Sequence, residues 1–173
     1  MPTNKKPRKK YRPKQVTKNP MAWAISGVTT MASDRSAMLA QQVLNSDALA
    51  ALCQGRATKS DMDVLIHMHN AVEALWQAGF GKEYSEILIR GKAALLDVCS
   101  RSVDLGRYVL RAEERQALDD LLELYDAQTE VATMRDVARA DAKAWSDIAT
   151  KKATVIKDVE KLRLAMPHAR EAA

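Results

Sequence analysis

From residue 21 to residue 166 the chain has no proline, since Pro2, Pro7, Pro13 and Pro20 crowd its start and Pro167 lies near its end. Proline costs about 3 kcal/mol inside a helix, so a long proline-free interval rich in Ala and Leu is what a helical domain needs. Aromatic residues are also scarce, with Phe80 the sole phenylalanine. Cysteine is limited to Cys53 and Cys99. Two isolated thiols in a chain of 173 residues, long enough to bury its own core, exclude a disulfide framework and favour a reducing cytoplasm. No run approaches the roughly 18 consecutive apolar residues of a membrane span, so no membrane is expected among the partners. The fairly apolar stretch from Met21 to Ala32 follows a basic segment as in a signal peptide. Ser26, Gly27, Thr29 and Thr30 dilute it too much for that role.

Negative charge is missing from the whole start of the chain, where the first acid is Asp34. Lys5, Lys6, Arg8, Lys9, Lys10, Arg12, Lys14 and Lys18 all precede it. With those eight set apart, 19 of the 27 basic residues remain against 22 acids, so the net charge of +5 divides into a basic leader and a mildly acidic body at −3. Proline and dense like charge keep such a leader from packing. The expected organisation is a disordered basic arm over 1–20, a docking segment over 21–33, a helical domain over 34–166 and a tail over 167–173.

Within the domain the apolar spacing is helical, and the expected fold is all-α, a bundle of about five to six helices ending in a long C-terminal one. The pattern predicts helices from about Asp34 to Asn45 and from Asp47 to Cys53, with Ser46 capping the second. Ser60, with Asp63 three residues on, reads as the cap of a helix reaching Ala78, with Met62, Leu65, Ile66, Val72 and Trp76 on one face. From about Lys82 to Arg101 the stripe is Tyr84, Ile87, Leu88, Gly91, Leu95 and Val98, and Gly91 within it points to a close helix contact. A further helix from about Ala112 carries Leu118, Leu121, Leu122, Tyr125 and Thr129. Thr133 with Asp136 has capping spacing for a last helix, in phase from Met134 to Met166 and about 50 Å long, whose second half would project or pack on another copy. Gly55, Gly79, Gly81 and Gly106 fall at the expected helix ends. No strand-period alternation or internal repeat is visible.

The arm is the feature with a direct physical consequence. Its cations, Lys5, Lys6, Arg8, Lys9, Lys10, Arg12, Lys14 and Lys18, attract phosphate by releasing condensed counterions, and Tyr11 can stack on a base. The same charge also suits an acidic protein or an anionic lipid surface, or serves solubility alone. Trp23, just beyond the arm, reads as an anchor onto the bundle or as a protein-binding residue. Trp76 and Trp145 are placed on helix core faces.

No constellation demands chemistry. His67 and His69, two apart on a helix, point about 200° away from each other and cannot share an ion. His69 reads as a hydrogen-bonded core histidine with Glu73 as its partner, and Asp63 with His67 as half a metal site lacking its other ligands. Glu113, Glu114, Asp119, Asp120, Glu123 and Asp126 read as solvated helix faces, and Cys53 and Cys99 as buried, inert thiols. No GxGxxG, P-loop, G-x-S-x-G, CxxC or Glu-x-x-His pair occurs. Neither catalysis, a metal nor a cofactor is expected.

The Lys9 to Lys14 run K-K-x-R-P-K, followed by Asn19-Pro20-Met21, and the later run from Leu121 to Gln128 leading to Thr133-Met-Arg-Asp136, resemble small uncharacterised proteins of bacteriophages and prophages. The resemblance covers about a third of the chain. It implies a bacterial cytoplasm and supplies no activity. The expectation is a non-enzymatic accessory protein that holds DNA or RNA through the arm without sequence specificity, while its helical domain self-associates or binds a protein. The competing expectations are an interaction module or host-factor inhibitor acting through acidic helices, and a virion or scaffold component.

Overall fold

A computed structural model describes residues 20–150. Among these residues there are six α-helices, α1 (Pro20–Ser26), α2 (Arg35–Cys53), α3 (Lys59–Ala78), α4 (Ser85–Leu105), α5 (Ala112–Val131) and α6 (Met134–Ala149), with 3-10 turns at Met31–Ser33 and Lys82–Tyr84. Among the described residues there is no strand, only an isolated bridge between Thr30 and Thr133. No helix among them is long and apolar enough to cross a membrane. The all-α expectation holds.

α3 is the axis of the bundle and packs against α2, α4, α5 and α6. Its face of Met62, Leu65, Met68 and Val72 is almost wholly removed from water and meets Leu49 and Leu52 of α2, Leu88, Leu95 and Val98 of α4, and Leu118 and Leu121 of α5. Each such side chain contributes about 1.5–3 kcal/mol by leaving water. A second, smaller cluster joins Ala74 and Leu75 of α3 to Ala132 and to Ala140 of α6, with Phe80 and Val137 packed against it.

Local chemistry sets the boundaries. Asp34 caps α2 through the Ala37 amide at 3.1 Å. That helix runs through Ser46 to Cys53 without a break, where two helices were expected. Nothing at Ser46 interrupts the backbone, and buried Asn45 is engaged by Gln41 Nε2 at 3.1 Å one turn earlier. α3 starts earlier than expected. Thr58, not Ser60, is its cap, and Asp61 returns the interaction by accepting from the Thr58 amide at 2.7 Å, so the reciprocal box lies two residues upstream of the expected one. α3 ends at Gly79, whose φ of +116° only glycine adopts cheaply. The expected helix from Lys82 becomes a 3-10 turn before α4, which continues past Arg101 to Leu105. Tyr84, expected on its buried stripe, is consequently exposed.

Gly91 of α4 sits against Leu121 of α5, and a Cβ there would meet Leu121 Cδ2 at 2.9 Å and Cβ at 3.3 Å, which is the close approach its place in the stripe implied. Thr133 caps α6 as expected, accepting from the Asp136 amide at 3.2 Å. The expected course of the last helix from residue 151 to 166 lies outside the described residues.

Candidate functional site

Of the residues expected to bind nucleic acid, Lys5, Lys6, Arg8, Lys9, Lys10, Tyr11, Arg12, Lys14 and Lys18 all lie outside the described residues. What is described is the root from which they extend. Trp23, the expected protein-binding residue, lies in α1. After α1 the chain meets the corner between α5 and α6. The Met31 amide donates to the Ala132 carbonyl at 3.0 Å and the Met134 amide donates to the Thr29 carbonyl at 2.9 Å. The 3-10 turn at Met31–Ser33 packs on α5 and α2, and α1 on α6. At Gly27 the Arg135 guanidinium occupies the space a Cβ would need. The segment 21–33 thus lies on the bundle.

The root stands beside a basic side of α6. Arg135, Arg139 and Lys143 recur every four residues, so they share one face. Lys143 pairs with Asp147 on the same helix. Sequence reasoning passed over this ridge, although its four-residue spacing was there to be read.

Elsewhere several of the body's cations meet carboxylates. Lys59 pairs with Asp63 at 2.5 Å, Arg90 with Asp120 at 2.7 Å, Lys92 with Glu73 at 3.0 Å, and Arg115 with Asp119 at 3.6 Å. Glu114 overturns the expectation of a solvated face: it is buried, binds the Arg101 guanidinium and accepts from the Arg111 amide at 2.8 Å. Arg101 also donates to the Val109 carbonyl, so the pair ties the end of α4 to the start of α5. The hydrogen bond to Glu114 in turn raises the Arg101 pKa, against the effect of burial, and the Glu114 charge adds to it. Asp126 is half-buried as well, and burial raises its carboxyl above the ordinary value while a hydrogen bond from Gln42 pulls it back.

His69 is a core histidine as expected, but with a different partner. Its Nε2 lies 3.2 Å from the Leu88 carbonyl, and Glu73 is taken by Lys92 instead. Burial is the main cause that lowers its pKa, with the nearby Lys92 charge adding to it. His67 does not share an outer face with Asp63. It turns to α6, where Nε2 is 2.7 Å from Asp141 Oδ1 and the ring lies 4.7 Å from that of Trp145 at 32°. Tyr125, close enough to feel Asp141 and Asp126, has its pKa pushed up to about 12, first by burial and then by those two charges. Trp145 is a correction too, since it is 59% exposed rather than core. It lies near the end of α6, where its ring rests on the His67 imidazole of α3. Trp76 packs against the core as expected, and its Nε1 donates to the Lys82 carbonyl at 3.1 Å.

The thiols differ from expectation in part. Cys53, in the last turn of α2, is exposed and borders an open groove of about 350 Å³ lined also by Ser46, Leu49, Ala50, Arg115 and Leu122. Cys99 is half-buried, and burial raises its pKa, which keeps it a poor nucleophile at neutral pH. Among the described residues no group of three or more His, Cys, Asp or Glu side chains is placed to hold a metal ion. Comparison with family models, curated proteins and solved structures finds no match to this chain.

Proposed function

We propose that the protein is a non-enzymatic accessory protein of the phage type that binds nucleic acid without sequence specificity through residues 1–20, and that its helical domain serves for assembly. The observation that carries this reading is the segregation of charge: eight cations and no acid before Asp34, against a body with fewer cations than acids. The pairing of Lys59, Lys92, Arg90, Arg101, Arg115 and Lys143 with carboxylates supports it, because cations engaged in this way have less to offer a polyanion than those of the arm. The docked segment 21–33 would hold the arm's root at the α5–α6 corner, beside Arg135 and Arg139.

The test is binding of the full chain and of a deletion lacking residues 1–20 to duplex and single-stranded DNA at 50 and 200 mM salt. If six to eight phosphates are neutralised, log affinity for duplex falls against log salt with a slope of about −5 to −7. The deletion abolishes binding. Equal binding by both proteins, or binding by neither at low salt, overturns the reading. A second reading, a protein-interaction module, is favoured by the exposed Glu113, Glu123 and Glu130 along α5. Under it the arm is dispensable.

A further inference from the structure

α2 is poor in charge for a helix with one side in water. Of its 19 residues only Arg35 and Asp47 are charged, whereas α5, one residue longer, carries eight charged side chains. The core side of α2 holds Asn45, Ala48, Leu49 and Leu52. Further round the helix, Ser36, Leu39, Val43, Ser46, Ala50 and Cys53 follow one another at alternating spacings of three and four, so they form one stripe along its length. None of the six is buried, and Leu39 and Val43, the two large aliphatic ones, are 46% and 56% exposed. An uncharged stripe that leaves such side chains in water has the character of a contact surface.

The two halves of the stripe differ, and the difference selects the partner. The first half projects, through Leu39 and Val43. The second half is hollow, because Ser46, Ala50 and Cys53 are small and border the groove of about 350 Å³ that Leu49 and Leu122 also line. A copy turned through 180° about an axis that crosses α2 between Leu44 and Asn45 sets Leu39 opposite Ala50, Val43 opposite Ser46, and Ser36 opposite Cys53. Each projecting half then meets a hollow one. Charge follows the same symmetry. α5 runs antiparallel to α2, since Gln42 reaches Asp126 while Cys53 shares its groove with Arg115. The projecting half is therefore flanked by Asp126 and Glu130, and the hollow half by Arg115, whose tie to Asp119 is a long 3.6 Å. The same rotation brings Glu130 towards the partner's Arg115, so unlike charges meet at both ends of the contact. Arg35, in the first turn, comes to the carbonyl end of the partner's α2, where a cation is favoured.

We propose that this face of α2 is where a second copy of the chain docks, with the two α2 helices antiparallel about a two-fold axis. The proposal rests on the assembly role assigned above and names its partner, and it uses none of the arm's residues. Sedimentation velocity on the full chain should show reversible dimers. Leu39→Glu with Val43→Glu should weaken the dimer by about 100-fold or more, because both carboxylates would be buried against the partner. The two positions face water in the single chain, so circular dichroism should show an unchanged helical body. Orientation is read by cross-linking. In a C99S background, Ser36→Cys should form a disulfide dimer under mild oxidation, joining Cys53 to the new thiol of the other copy. Within one chain those positions are about 25 Å apart along α2 and cannot be bridged. C99S alone should not cross-link, since the two Cys53 thiols lie at opposite ends of the contact. A monomer at about 100 μM, a dimer indifferent to the glutamates, or a bond between the two Cys53 residues overturns the proposal. A monomer in which Cys53 resists alkylation also overturns it, and assigns the face to another segment of the same chain. Deleting residues 1–20 should leave the dimer intact, and its loss there would place the interface elsewhere. A chain that dimerises in this way yet ignores DNA refutes only the nucleic-acid reading.

Discussion

At the scale of single residues, the buried histidine makes the sharpest prediction. His69 is enclosed by α3 and α4, and burial followed by the Lys92 charge lowers its pKa below 6.5. The unfolded chain takes up a proton near 6.5 while the folded one resists it, so the unfolded state binds more protons over that window. Stability is therefore full above the unfolded value and is lost as pH falls toward 5, with this residue contributing at most about 1.4 kcal/mol per pH unit. His69→Gln retains an amide for the Leu88 carbonyl and removes the titration. Its melting temperature should be lower at pH 7.5, by an amount equivalent to about 1–3 kcal/mol, and its decline between pH 7 and 5 should be visibly shallower. Parallel curves for the two proteins would show that the histidine does not govern the acid limb.

At the scale of elements, Gly91 sets two opposed effects against each other. Replacing it by Ala favours the helix by about 1 kcal/mol. The new methyl, however, meets Leu121 at 2.9–3.3 Å, and Leu121 is itself fully buried. Overpacking costs about 1–3 kcal/mol, so Gly91→Ala should destabilise by a net amount of up to about 2 kcal/mol in urea titrations. A stabilised variant would mean that α4 and α5 can separate at no cost. This contact was legible in the sequence because a glycine on an apolar stripe has few other uses, and the caps at Thr133 and Gly79 were legible because they obey local backbone rules. What was not legible depended on distant chain. Trp145 has helical core spacing, yet among the described residues it is 59% exposed, with His67 of α3 against its ring. Glu114 looks like its exposed neighbours until the end of α4 delivers Arg101. Ser46 resembles a cap, and α2 passes through it because no break in the backbone leaves a terminus to cap. At the candidate site, the arm was plain from charge and the Arg135, Arg139 and Lys143 ridge was readable from its spacing, whereas its place next to the arm's root depends on the Thr30–Thr133 bridge, which brings residue 27 onto α6.

At the scale of the whole molecule, the segment 21–33 serves two purposes that deletions can separate. It connects the basic leader to the body, and it closes the α5–α6 corner, where the Met31 amide meets the Ala132 carbonyl and the Met134 amide meets the Thr29 carbonyl. Ala132 is completely buried, so removing the segment exposes apolar surface along with two orphaned backbone groups. Two hydrogen bonds at about 1 kcal/mol each, with some lost burial, amount to roughly 2–3 kcal/mol, or about 10 °C in a domain of this size. Deletion of residues 1–20 should shift the melting temperature by no more than about 2 °C, whereas deletion of residues 1–33 should give the larger loss. The two truncations should be equally poor at binding DNA, since both lack the arm. If the longer deletion melts like the shorter one, the segment is a mere connector and the arm's root is not held at the corner. If the shorter deletion already costs the full amount, the basic leader packs on the body, and its cations are then not free to meet phosphate.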